Sequence, residues 1–197
     1  NAASYDFCEL PGAELAGHVF ADLNDNCEFD DSEMGIVGVA IELQDETGSV
    51  IASTMTDANG YYSFSGLAAG IYSVSEFQPE GWLQGNQRAG SAGGDTSRDD
   101  LISHVPVAWG DRLTDYDFCE LMPASVQGMV WEDVHTDQRY EPGEVPIPGV
   151  LIELLGPSDD VLATTQTDSQ GTYRFDNLMP GVYSLRQIQP TGFFHGG

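Results

Sequence analysis

The chain has 197 residues, and its 32 Asp and Glu against 6 Arg, with no Lys, give a formal charge of −26 at pH 7. Without lysine it can form no Schiff base, no P-loop lysine contact and no internal Lys–Asn isopeptide bond. So acidic a chain repels nucleic-acid phosphates and anionic membranes while attracting divalent cations. Hydrophobic residues at 41%, with 9 Phe, 8 Tyr and 3 Trp, exclude an acidic disordered tail.

In chain order, the first landmark is Tyr5-Asp6-Phe7-Cys8-Glu9-Leu10, which returns as Tyr116-Asp117-Phe118-Cys119-Glu120-Leu121, an offset of 116 − 5 = 111. The same offset aligns Gly38-Val39 with Gly149-Val150, Ile41-Glu42-Leu43 with Ile152-Glu153-Leu154, Thr56-Asp57 with Thr167-Asp168, and Gly70-Ile71-Tyr72-Ser73 with Gly181-Val182-Tyr183-Ser184. The chain is therefore an internal repeat. Residues 1–10 match the end of a unit and read as the final strand of a preceding repeat or as a donor strand. Residues 11–121 are a complete unit, and 122–197 match only its first part, without counterparts of 87–121.

Within the first unit a strand leads into an acidic loop at 22–33. Period-two alternation then marks strands at 38–43 (Val39, Ile41, Leu43 inward), 61–64 (Tyr62, Phe64) and 71–74 (Tyr72, Val74). Turn signals separate them at Asp57-Ala58-Asn59-Gly60 and Ala69-Gly70. The Gly-, Ser- and Asp-rich stretch 85–100 reads as the longest loop. The second unit keeps the inward positions as Val150, Ile152, Leu154, Tyr173, Phe175, Tyr183 and Leu185. No amphipathic helix and no membrane-length apolar run is present. The expected fold is all-β, two sandwiches in tandem, each of about seven strands in roughly 100 residues and the second incomplete.

The loop 22–33 carries the chemistry. Asp22, Asn24, Asn26, Asp30 and Glu33 place side-chain oxygens at loop positions 1, 3, 5, 9 and 12, with the Glu28 carbonyl at position 7. This is the oxygen spacing of an EF-hand-type calcium loop, which wraps six to eight hard ligands around one cation. Cys27 replaces the usual turn glycine, and no helices flank the loop. The second unit retains Asp133, Asp137, Arg139, Glu141 and Glu144 at the matching places, with His135 in place of an oxygen and Arg139 adding positive charge, so weaker binding is expected there. Asp95, Asp99 and Asp100, with Asp57 or Asn59 nearby, form a further acidic group that reads equally well as a solvated loop or a calcium site.

The string Gly17-x-Val19-Phe20-x-Asp22-x-Asn24-x-Asn26, Glu33-x-Gly35-Ile36-x-Gly38-Val39, Thr56-Asp57-x-x-Gly60-x-Tyr62-x-Phe64-x-x-Leu67-x-x-Gly70-x-Tyr72-x-Val74 and Pro79-x-Gly81-Trp82 closely resembles the B domains of serine-aspartate repeat surface proteins. These fall within the wider collagen-adhesin B-type, prealbumin-like group. The resemblance implies Ig-like sandwiches stiffened by Ca2+, strung in tandem on an extracellular bacterial surface or fibre protein as a stalk supporting adhesion. The partners it implies are neighbouring repeats or identical subunits head to tail, and a host or matrix ligand. No nucleic acid and no membrane insertion is expected. Many relatives carry Lys–Asn crosslinks, which this chain cannot form.

In a stacked array of such units the loop after the first strand lies at the pole where the last strand ends. That favours pairing Cys27 with Cys119, closing a loop of roughly 90 residues; Cys8–Cys27 and an intermolecular bond stay open. An enzyme is not expected. His18, His104, His135 and His195 lack any G-x-S-x-G, H-E-x-x-H or dinucleotide turn around them. Trp82, Trp109 and Trp131 leave a carbohydrate- or protein-binding module as one alternative. A pilus-like filament joined by donation of residues 1–10 is the other.

Overall fold

β1 (Ala13–Asp22) is the spine of the first unit, because both halves of this 10-residue strand pair on both edges. The computed structural model describes residues 7–194 and divides into two units, Asn1–Met122 and Pro123–Gly197. In the first, the N-terminal half of β1 pairs with β5 (Tyr61–Leu67) antiparallel and β10 (Arg112–Leu113) parallel. Its C-terminal half pairs with β2 (Met34–Gly35) antiparallel and β11 (Asp117–Leu121) parallel, and β7 (Leu83–Arg88) closes the far edge of β11. A second, wholly antiparallel sheet has the order β4-β3-β6-β9-β8, built from β3 (Ala40–Asp45), β4 (Val50–Met55), β6 (Gly70–Glu76), β8 (Asp95–Arg98) and β9 (Leu101–Val107).

The two sheets enclose one core. The alternating residues foreseen as inward are all there: Val39, Ile41, Leu43, Tyr62, Phe64, Tyr72 and Val74 are buried with Leu15, Val19, Ile102, Val105, Tyr116 and Phe118. The hydroxyl of buried Tyr62 donates to the Tyr116 carbonyl oxygen at 2.5 Å, which ties β5 to the segment entering β11. Gly17 lets β1 and that segment approach. A Cβ there would lie 1.8 Å from the Tyr116 carbonyl oxygen, so no side chain fits without opening the sheet.

The stretch 85–100, expected to be a loop, instead contains most of β7 and all of β8. Gly85 lies against β11, where a Cβ would stand 1.8 Å from the Cys119 carbonyl oxygen, and the Gln87 amide donates to the Thr96 and Arg98 carbonyls at 2.9 and 2.7 Å. Close backbone approach and polar side chains hold these strands, so the β-branched signature of a strand is missing. The first unit thereby carries β1 to β11, of which β2 and β10 are only 2 residues long.

The second unit repeats the first half of this plan. It comprises β12 (Ala124–Met129), β13 (Trp131–Glu132), β14 (Val145–Pro146), β15 (Leu151–Leu155), β16 (Val161–Gln166), β17 (Thr172–Leu178) and β18 (Ser184–Gln187). β12 pairs with β17, β13 with β14, and β15 lies between β16 and β18. Val150, Ile152, Leu154 and Phe175 form its core, with Tyr173 and Tyr183 packed against it. Leu185, expected inward, is 41% exposed. Its counterpart Val74 is covered by β9, where it pairs with Ile102, and this sequence holds no counterpart of that strand.

The repeated Thr-Asp pairs have a structural reason. Thr56 Oγ1 donates to the Ile36 carbonyl and accepts from the Val39 amide, and Thr167 does the same with Ile147 and Val150. Asp57 Oδ1 accepts from the Asn59 and Tyr61 amides, and Asp168 Oδ1 from those of Gln170 and Thr172. Each pair closes a buried crossover and shapes the turn that follows it.

Candidate metal centre

The loop 22–33 is wound around two buried carboxylates, Asp22 and Glu33, exposed 3% and 9%. Asp22 Oδ1 accepts backbone amides of Asn24, Asp25 and Asn26 at 3.1, 2.7 and 3.3 Å, and its Oδ2 that of Cys27 at 2.7 Å. Glu33 reaches back with Oε1 to the Leu23 amide and Oε2 to the Asp30 amide, at 2.9 and 3.0 Å. Asn24 and Asn26 both donate to Asp30 Oδ2, at 2.9 and 3.3 Å, and Asn26 Oδ1 accepts the Glu28 amide at 2.8 Å. Cys27 adopts φ 52°, the left-handed conformation that a glycine would ordinarily supply at the sixth position.

Apolar packing anchors this loop. Phe29 stacks on Phe20 with centroids 4.8 Å apart and lies 5.1 Å from the His18 ring. Cys27 is joined by a disulfide to Cys119, Cα to Cα 5.4 Å, and the two pack with Phe20. Adjacent residues Val19 and Phe20 are both buried, one in the main core and the other under the loop. Cys8 is free and exposed; of the segment 1–10, residues 7–10 form no strand and are exposed, and Tyr5 and Asp6 lie outside the described residues.

The loop 133–144 has the same construction. Asp133 accepts the amides of Asp137 and Gln138 at 3.2 and 3.0 Å, and Glu144, 5% exposed, accepts those of Val134 and Glu141 at 3.2 and 3.0 Å. Gln138 takes φ 61° at the sixth position. The amide hydrogen bonds, that from Gln138 foremost, hold the Asp133 carboxyl below its usual range. His135 Nδ1 stands 3.5 Å from Glu144 Oε1 and 3.7 Å from Glu141 Oε2, so an imidazole takes up part of this loop's acidic interior. The Arg139 amide donates to Asp137 Oδ1 at 3.0 Å.

The acidic group around residue 95 comes apart. Asp95 Oδ1 caps the Ser97 amide, Asp57 holds its own turn, and Asp99 is exposed. Asp100, at φ 57° in the β8–β9 turn, instead meets Glu76 from the end of β6 and Glu120 from β11. Among the described residues this is the one place where three or more carboxylate, imidazole or thiol groups bring ligand atoms within 4.8 Å of one another. Glu76 and Glu120 are exposed only 5% and 1%. Glu76 Oε1 and Oε2, Asp100 Oδ1 and Glu120 Oε1 are buried without a hydrogen-bond partner among the described residues. The Gln78 amide donates to the remaining Glu120 oxygen, Oε2.

None of Glu76, Gln78 or Glu120 was a candidate from sequence, although the signal was present. Glu76 continues the inward alternation of Tyr72 and Val74, and Glu120 that of Phe118. Burial, then the neighbouring charges of Glu120 and Asp100, pushes the Glu76 carboxyl up to about 9. Burial raises Glu120 to about 7, with Asp100 adding to the rise and the Gln78 hydrogen bond opposing it. In the unfolded chain both titrate near 4.5. Folding therefore binds protons between these values, and stability falls as pH rises through the interval. In metal-free buffer the unfolding free energy is expected to drop from about pH 5 towards pH 9, with a slope approaching ~1.4 kcal/mol per pH unit for each proton taken up. Urea titrations across that range check it, and Glu76→Gln is expected to flatten most of the slope.

A family model described as SdrD B-like domain matches residues 13–118 and 124–196. Serine-aspartate repeat-containing protein F of Staphylococcus epidermidis is 36% identical over 184 residues, covering 92% of this chain and 10% of that protein. Serine-aspartate repeat-containing protein D of Staphylococcus aureus (strain Newman) is 34% identical over 186 residues, covering 93% of this chain and 14% of that one. The chain thus spans only a tenth to a seventh of the length of these relatives. Among solved structures, the Bacillus anthracis TIE protein aligns over 93% of this chain and 30% of its own, with TM-score 0.45 and 16% identity. A streptococcal ancillary pilin aligns over 93% of this chain and 56% of its own, with TM-score 0.40 and 16% identity.

Proposed function

Because the chain belongs to the SdrD B-like domain family, we propose that it is a calcium-stabilised structural module of a longer surface protein, one that spaces and supports an adhesive region. Its place is outside the cell, at the cell surface. The family is one of structural surface domains, and the proposed role is mechanical, not catalytic.

The observation that carries this reading is the duplicated loop. At an offset of 111 residues, two loop sequences that share only their first and twelfth residues, Asp and Glu, fold those carboxylates inward and make the same amide contacts, Leu23 to Glu33 and Val134 to Glu144, Cys27 to Asp22 and Gln138 to Asp133. The donor set of the first loop fits calcium: Asp22, Asn24, Asn26, the Glu28 carbonyl, Asp30 and Glu33 are all hard oxygen ligands. Asp133, Asp137, Glu141, Glu144 and the backbone carbonyl of Arg139 fit it less well, since His135 already interacts with two of these carboxylates. A bound cation supplies positive charge where the chain has concentrated negative charge; the residues themselves hold the loop against β1 and β11. Thermal unfolding and limited proteolysis in calcium and in chelator test the role, and curves that superimpose in the two buffers would sink it.

The edge of β13, where the first unit has β11, favours a second reading. The C-terminal half of β1 pairs on both sides, with β2 and β11, whereas among the described residues its counterpart β13 pairs with β14 alone, and β18, the counterpart of β6, with β15 alone, leaving Leu185 exposed. Residues 1–10 repeat the sequence of β11, which in the first unit lies beside the C-terminal half of β1, so a strand donated by a second copy would lie beside β13, the counterpart of that half, as in donor-strand assembly. Deleting residues 1–10 is expected to abolish concentration-dependent polymer in light scattering if this occurs; a wild-type chain monomeric at all concentrations refutes it.

A further inference from the structure

We propose that the outer face of β1 in the first unit carries a docking cleft for an arginine side chain on an exposed segment of another protein. The cleft adds a contact to the mechanical role and draws on none of the loop carboxylates.

The cleft arises where β1 changes partner. Its N-terminal half pairs with β10 and its C-terminal half with β11, and Thr114, Asp115 and Tyr116 bridge between the two. Asp115 takes φ 67° on the way. The result is a cavity of about 430 Å³ bounded by β1, by Tyr61 of β5 and by residues 112–115. Ala16 and Gly17 give its floor no side chain larger than a methyl. The Tyr61 and His18 rings, with centroids 5.3 Å apart, and Leu113 add further apolar lining. Arg112 is bonded to Glu14, and the Asp115 carboxylate accepts the Thr114 hydroxyl at 3.0 Å. Asp117 lies behind His18, its Oδ1 3.7 Å from His18 Nδ1.

An apolar floor with carboxylates around it suits a side chain that has an aliphatic stem and a cationic head. A guanidinium also stacks on aromatic rings and bonds carboxylates through a planar fork. One arginine, Arg112, faces three carboxylates here, Glu14, Asp115 and Asp117, so the local charge still favours a cation. The formal charge of −26 draws basic partners and repels further copies of this chain, so the occupant belongs to a different protein.

The second unit shows the same arrangement made within one chain. Arg174 on β17 donates from Nη1 to Gln127 Oε1 at 2.8 Å, from Nη2 to Ser125 Oγ at 3.1 Å and from Nε to Asp176 Oδ1 at 2.5 Å. At the 111-residue offset, Arg174, Gln127 and Ser125 correspond to Ser63, Ala16 and Glu14. The register agrees, since Gln127 pairs with Arg174 and Ala16 with Ser63. One strand face therefore holds a guanidinium in the second unit and, in the first, small side chains beside an open cleft.

The test is a heteronuclear NMR titration of the full chain, in calcium buffer, with the peptide acetyl-Gly-Arg-Gly-amide and with its citrulline analogue, which keeps the shape and loses the charge. The arginine peptide is expected to give saturable shifts at the amides of Ala16, His18, Tyr61 and Asp115 that weaken as salt rises, and the citrulline peptide none. The absence of saturable shifts up to about 20 mM overturns the proposal. So do shifts spread over the acidic loops, which mark unspecific attraction, and an equal response to citrulline, which marks a site for a neutral ligand. Ser63→Arg copies Arg174 and is expected to fill the cleft and abolish binding. Asp115→Asn keeps a residue that tolerates the left-handed backbone and is expected to weaken binding about threefold to fivefold. Undiminished binding by either folded variant overturns the proposal.

Discussion

Replacing Cys27 and Cys119 together by serine, in a chain that also carries Cys8→Ser, is expected to lower the unfolding free energy of the first unit by about 4 kcal/mol. The bond joins residues 92 apart, so it removes the closure entropy of a long loop from the unfolded chain. The native side loses less, because Leu15, Val19, Ile41, Leu43, Tyr62 and Phe118 remain packed between the sheets without it. The variant therefore folds, but unfolds at markedly lower urea. Cys8 must be removed as well, since it occupies the same repeat position as Cys119 and its exposed thiol could exchange into a broken bond. The second unit provides the control. It has no cysteine, Gln138 standing where Cys27 does, so its own urea transition is expected to stay in place. A first-unit transition unmoved by the substitutions would show that the disulfide contributes nothing.

Removing calcium is the second large effect. A ligand that binds only the folded state adds about 2.7 kcal/mol at a hundredfold excess over its dissociation constant, and a unit of this size shifts by roughly 4–8 °C for each kcal/mol. Chelation is therefore expected to lower the melting midpoint of the first unit by roughly 10–20 °C. Glu33→Gln is expected to reproduce much of that loss in calcium buffer. Its carboxylate holds the Leu23 and Asp30 amides and stands at the twelfth position, where one side chain can give calcium two oxygens. Glu144→Gln is expected to cost the second unit less, because His135 already lies 3.5 Å from that carboxylate. Calorimetry of the two variants with and without chelator measures both. The effects of disulfide and calcium will not add. Cys27 donates its amide to Asp22 from within the loop and is bonded to Cys119 beneath it, so losing the bond loosens the ligand set. A double-mutant cycle with Glu33→Gln is expected to show coupling of about 1 kcal/mol or more.

Local spacing carried a large part of this protein. The 111-residue repeat shows as sequence identity, while the inward alternation of Val39, Ile41 and Leu43 and the wrapping of 22–33 around Asp22 and Glu33 are fixed by residues no more than 10 positions apart. The pleat sets a period of two, and the loop carboxylates accept amides from their own segment, so such features are legible in a single sequence. What needed the tertiary structure depended on register between distant strands. β7 and β8 looked like loop because close backbone approach at Gly85 and the Gln87 amide hold them, not apolar side chains. Leu185 kept an inward position in the pattern yet lies exposed, since burial depends on a neighbouring strand as well as on periodicity. The sequence does put Glu76 on the face of Val74 and Glu120 on the face of Phe118, and so says that two acids point inward. That they meet each other and Asp100 is decided by how β6 and β11 face across the sandwich, a relation no spacing along the chain encodes.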